Sequence, residues 1–178
     1  MKRILFVLAL LPILLASSCQ DDDATPEPRA LELPPLTHIG AGTFGCLMDG
    51  EVWLPEVDGI REVAIDALFT YPPRITITAT KEPISTDQDE SITISRAYPI
   101  DSANNRMTLF SNFYDKRGVA DCKIIEVDTS QANYLIVDHL DETNSTISGR
   151  FECVMREPDC PEKTIRITEG RFDVRYRF

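Results

Sequence analysis

Short runs in which apolar and polar residues alternate recur along this chain from residue 74 to residue 178: RITITAT, SITIS, NYLIVDHL, TISGRFECVM, TIRIT and RFDVRYRF. A period of two puts every second side chain on one face of a strand, so that one face is buried and the other wetted. Turn-prone clusters separate the runs, and no amphipathic crossover helix lies between them, which argues against parallel βαβ units. The expected fold is all-β, an antiparallel β-sandwich or flattened barrel of about 8–10 short strands.

Individual segments sharpen this. TFGCLM, then Asp49-Gly50, then EVWL reads as a hairpin, because the Asp-Gly pair accepts the positive φ angles of a two-residue turn. That register sets Cys46 opposite Trp53 and Leu47 opposite Val52, and Pro55 ends the second strand. GIREVAIDALF fits two periods: Ile60, Val63, Ala64, Ala67 and Leu68 line a helical face, whereas Val63, Ile65, Ala67 and Phe69 alternate as in a strand. The YPPR turn and the return run RITITAT favour the strand. In the last segment Phe172, Val174, Tyr176 and Phe178 share one face, and Arg171, Asp173, Arg175 and Arg177 share the other, expected to be wet.

The N-terminal residues have a different character. Lys2 and Arg3 precede an apolar run, Ile4 to Ala16, which is the pattern of a secretory signal and is too short to span a bilayer stably. Ala16-Ser17-Ser18-Cys19 resembles the lipobox of bacterial lipoproteins, with Leu15 one place farther from the cysteine than usual. The resemblance implies that residues 1–18 are removed and that Cys19 carries a thioether-linked diacylglycerol and an amide-linked acyl chain. Two or more chains anchor stably where one does not. The alternative is an ordinary cleaved signal, with Cys19 paired elsewhere. Cleavage at Cys19 leaves 160 of the 178 residues and shifts the net charge from −11 to −13, a balance that repels nucleic acid and anionic membranes.

Residues 19–41 hold four prolines and three consecutive aspartates without apolar periodicity, and read as a tether reaching up to ~70 Å at ~3.1 Å per residue. Gln20-Asp21-Asp22-Asp23 resembles the acidic export signal of surface lipoproteins in Bacteroidota. That implies an outer-membrane protein facing the cell exterior; a solvated spacer on a periplasm-facing protein is the alternative. The β domain is expected over residues 42–178.

Cys46, Cys122, Cys153 and Cys160 form an even set, which in an exported chain suggests disulfides with three connectivities open. Cys153–Cys160 and Cys46–Cys122 are favoured, with buried free thiols as the alternative. Zinc has little support, because the nearest cysteines have six residues between them and His139 is the only histidine beyond the tether. No metal or other cofactor is expected.

A nucleophilic triad would have to use His139, set between Asp138 and Asp141, and a surface histidine at a strand end is the commoner arrangement. Asp87, Asp89 and Glu90 in STDQDES offer calcium-type ligands without EF-hand spacing, so a solvated hairpin tip is the simpler reading. Trp53, Phe110, Phe113, Tyr114 and Tyr134 are candidates for an aromatic carbohydrate platform, although a lone tryptophan within a hairpin belongs more often to a core. Asp101-Ser102-Ala103 resembles the O-glycosylation acceptor motif of Bacteroidota, which would modify Ser102.

GTFGCLMDGEVWLP at the start of the domain, and ISGRFECV followed by TIRITEGRFDVRY at its end, resemble the opening and closing signatures of an uncharacterised domain family of Bacteroidota lipoproteins. The resemblance implies an all-β fold in a lipoprotein and assigns no activity or catalytic residue. The resulting expectation is a non-enzymatic, outer-membrane-anchored lipoprotein that binds or scaffolds an envelope protein or another ligand. A glycan-binding module is the first alternative and an envelope hydrolase the second.

Overall fold

The computed structural model describes residues 31–57, 63–82, 90–100, 112–115, 124–157, 160 and 162–178, with the backbone alone at 112–115, 124 and 125. Its strands are β1 (Thr43–Met48), β2 (Glu51–Trp53), β3 (Glu56–Val57), β4 (Ile65–Thr70), β5 (Arg74–Glu82), β6 (Glu90–Ala97), β7 (Asn112–Asp115), β8 (Ile124–Val127), β9 (Tyr134–Asp141), β10 (Thr146–Arg156) and β11 (Thr164–Arg175). No helix occurs among the described residues. The hydrogen-bonded order is β2-β1-β11-β10-β8-β7-β6-β5-β3, with β4 added on β5 and β9 on β10. Every pairing is antiparallel except β3 with β5. The path ends at β2 and β3, so the expected all-β class holds in its sandwich-like form and not as a closed barrel.

Alternation explains the core. Ile75, Ile77 and Ala79 of β5 and Ile92 and Ile94 of β6 are buried, as are Ile147, Phe151, Cys153 and Met155 of β10. Trp53 joins them, packing edge-on against Phe44 and donating from Nε1 to the buried Glu90 carboxylate at 2.8 Å. The first hairpin has the register read from sequence, Cys46 opposite Trp53 and Leu47 opposite Val52, with Asp49 and Gly50 at φ 51° and 90°. Residues 65–69 of the ambiguous GIREVAIDALF segment lie in β4, so the strand reading holds there, while residues 59–62 lie outside the described residues.

One expectation changes. TIRIT and GRFDVR, up to Arg175, belong to a single 12-residue strand, β11. Its pairing with β10 jumps from Phe151↔Gly170 to Cys153↔Ile167, and its pairing with β1 jumps from Gly45↔Arg171 to Leu47↔Thr168. The one extra residue bulges around Glu169, at φ 51°, and the bulge inverts the alternation. Ile165 and Ile167 point inward before it, Phe172 and Val174 after it. Gly170 is required beside this bulge, since a Cβ there would stand 2.6 Å from the Phe151 carbonyl oxygen and 2.7 Å from its ring.

Beyond β11 the chain moves to a different neighbour. The Arg177 amide donates to the Ala67 carbonyl at 3.0 Å, and the Phe69 amide donates to the Arg177 carbonyl at 2.7 Å. The Arg177 guanidinium reinforces this by donating to both oxygens of Asp66 at 3.0 Å. Residues 164–177 therefore bond in turn to β1, β10 and β4.

Candidate functional site

Asp173 and Ser148 are opposite one another on β11 and β10, and Ser148 is also opposite His139 on β9. Cross-strand partners share a sheet face, so three neighbouring strands present an aspartate, a serine and a histidine side by side. A bulge aims the histidine. The pairing shifts between Ser148↔His139 and Gly149↔Val137, leaving Asp138 as the extra residue, tied to Arg150 at 2.7 and 2.8 Å.

This face is covered by residues 37–41, the end of the segment read as tether. Thr37 Oγ1 donates to the Asp173 carboxylate at 2.6 Å, the Ile39 amide at 3.0 Å and the Gly40 amide at 2.8 Å. His38 Nδ1 lies 2.6 Å from Ser148 Oγ. Asp173 and Ser148 are each only 1% exposed as a result. Burial alone would raise the Asp173 pKa, but the donors of Thr37, Ile39, Gly40 and Ala41 outweigh it and hold the carboxyl below its usual range. The expectation that Asp173 faces water is thus corrected: its face is polar because a backbone segment binds there.

The cluster has triad residue types without triad geometry. Ser148 is buried beneath the strap, and the hydrogen bonds shown for the Asp173 carboxylate all come from the strap and none from an imidazole. Its visible work is fastening residues 37–41 to the sheet.

Cys46 and Cys153 are buried free thiols, which overturns the pairings Cys153–Cys160 and Cys46–Cys122. Both side chains turn into the core, whereas Cys160 lies beyond the end of β10 in the connection to β11. Burial pushes each thiol pKa up to about 12, with Cys153 adding to the shift of Cys46, so neither is a reactive thiolate.

Cys19, Gln20, Asp21, Asp22, Asp23, Ser102 and Cys122 lie outside the described residues, as do Asp87, Asp89 and Phe110 and the side chains of Phe113 and Tyr114. Of the remaining aromatic candidates Trp53 is core and Tyr134 half-buried. A different aromatic group gathers at the surface. The Phe69 ring centroid is 5.2 Å from Tyr98 and 5.5 Å from Phe178, and Phe178 is 5.8 Å from Tyr176. Phe178 is 85% exposed, and Tyr71, in the turn after β4, 94%. Polar groups border it: Tyr98 donates its hydroxyl to Glu142 at 2.6 Å, and the Arg177–Asp66 pair sits alongside Phe178 in sequence. Phe178 belonged to the face expected to be buried, and nothing local in the sequence brings Phe69 and Tyr98 to it.

Two cavities of about 390 and 320 Å³ flank Gly42 and Ile65, and among the described residues lining them Glu32 is the sole acid. No group of three His, Cys, Asp or Glu side chains converges on a metal position among the described residues. A scan of protein-family models, a search of curated proteins and a search of solved structures each find no match to this chain.

Proposed function

We propose that this protein is an outer-membrane lipoprotein, anchored through Cys19 and exposed at the cell surface, whose β domain is a non-enzymatic binding module. The observation that carries the binding role is the aromatic patch of Phe69, Tyr98 and Phe178, with Tyr71 exposed in the turn after β4. Exposed aromatics such as Tyr71 and Phe178, next to the half-buried Phe69 and Tyr98, offer a contact surface, since aromatic rings bury large apolar areas. The lipobox-like Ala16-Ser17-Ser18-Cys19 and the acidic run Asp21-Asp22-Asp23 support the anchor and its orientation. The likeness to uncharacterised Bacteroidota lipoproteins supports the same setting.

A Cys19→Ala chain is expected to leave the membrane fraction, whereas the parent sediments with the outer membrane and is digested by protease added to intact cells. Continued sedimentation of the variant would sink the anchor. Protection of the parent, with a periplasmic marker intact, would turn the domain inward.

A second reading, glycan binding, is favoured by the polar border of the patch. Sugar rings stack their C–H faces on aromatics while their hydroxyls need adjacent donors and acceptors, here the groups of Glu142, Asp66 and Arg177. The Tyr71→Ala/Phe178→Ala double variant should keep the parent melting temperature, both residues being exposed. It should lose retardation by polysaccharide in affinity electrophoresis. A parent that no polysaccharide retards would leave protein contact as the use of the patch.

A further inference from the structure

The chain contains two histidines, 101 residues apart in sequence, and the fold brings them together. The ring centroids of His38 and His139 are 5.8 Å apart, with the planes tilted by 46°. Both residues are exposed, yet both are positioned from below. His38 rides on the strap that Asp173 fastens and is held at Nδ1 by the buried Ser148 hydroxyl, 2.6 Å away. His139 is set opposite that serine by the bulge at Asp138.

We propose that His38 and His139 form a two-imidazole site for a divalent transition-metal ion of the zinc class, with water completing the coordination. With Nδ1 of His38 engaged by Ser148, Nε2 is the nitrogen left for a ligand. This is the outer-shell arrangement that orients metal-binding imidazoles. At a Zn–N distance of about 2.0–2.1 Å, two imidazoles sharing one ion place their centroids about 5–6 Å apart, so the observed spacing accommodates an ion. The surroundings suit a cation. Asp141 lies two residues along β9 from His139, on the same side of the strand, and the chain carries a net charge of −11. Imidazole nitrogens select zinc, copper and nickel over the oxygen-seeking calcium and magnesium. Only two protein ligands are supplied, which leaves positions open and makes the site weaker than a closed structural zinc site.

The test is calorimetric titration of ZnCl2 into the purified mature protein in detergent, with MgCl2 and CaCl2 as comparisons. One zinc per chain should bind with micromolar affinity, and neither of the other ions should compete. His38→Gln and His139→Gln should each weaken zinc by at least about 10-fold. Zinc should raise the melting temperature of the parent but not of either variant. The variants' melts without metal report whether they fold, which is expected because both side chains are exposed. Absence of saturable zinc binding at millimolar concentration would overturn the site. So would undiminished binding by both variants, which would place zinc on carboxylates elsewhere.

Discussion

Removing residues 171–178 is expected to abolish folding, giving protein that aggregates and shows no cooperative melt. The segment supplies Phe172, Val174 and Tyr176, all buried, and full burial of three such side chains contributes roughly 6 kcal/mol. That is comparable with the whole stability of a domain, about 5–15 kcal/mol. The hydrogen bonding is as important as the area. Residues 171–173 pair with Thr43, Phe44 and Gly45 of β1, and residues 171–175 pair with positions 146 to 150 of β10. Arg177 bonds to β4. Loss of the segment therefore opens the edges of two long-range pairings at once, and exposed hydrophobic edges associate with other chains. Size-exclusion chromatography and thermal circular dichroism distinguish the outcomes. A soluble monomer that melts cooperatively would show that β1 and β10 are held by something other than β11.

How far such architecture is legible in the sequence depends on how local its cause is. The first hairpin was readable to the residue pair, because Asp49-Gly50 fixes the turn and the turn fixes the register. The inward set Phe172, Val174 and Tyr176 was readable for the same reason, since alternation is a property of the backbone itself. The continuity of β11 was not, although its trace is there: apolar positions are odd through Ile167 and even from Phe172, the parity change that a bulge produces. Cysteine pairing is not legible, because separation along the chain does not say that Cys46 and Cys153 turn into the core. The site was least legible. Alternation identifies the face on which Asp173 lies but not what covers that face, and a proline-rich run offers no sign that Thr37, Ile39 and Gly40 will dock there. Without that docking, His38 has no reason to be placed beside His139.

Asp173 accordingly gives the second large effect. Asp173→Ala leaves the Thr37 hydroxyl and the Ile39 and Gly40 amides without their acceptor at a partly buried position. Each buried donor left unpaired costs about 1–3 kcal/mol, so a total near 4 kcal/mol is expected. The melting temperature should fall by about 10 °C, and the strap should become accessible to protease. A change of less than about 2 °C would mean that the bonds from the strap to the Asp173 carboxylate contribute nothing to stability. The pH dependence provides a separate check with a fixed sign. The folded pKa of Asp173 lies below its unfolded value, so the folded state favours the carboxylate. The resulting stability is fully present above the unfolded pKa, about 3.9, and is lost as pH falls through the lower folded value. Asp128 and Asp141 also titrate below the usual range, held there by Ser130 and Asn144, and both remain in the variant. The difference between parent and Asp173→Ala stability therefore isolates Asp173. It should be constant above about pH 5 and shrink steadily below pH 4. A difference that stayed constant down to pH 2 would show that the strap is held by packing and not by the carboxylate.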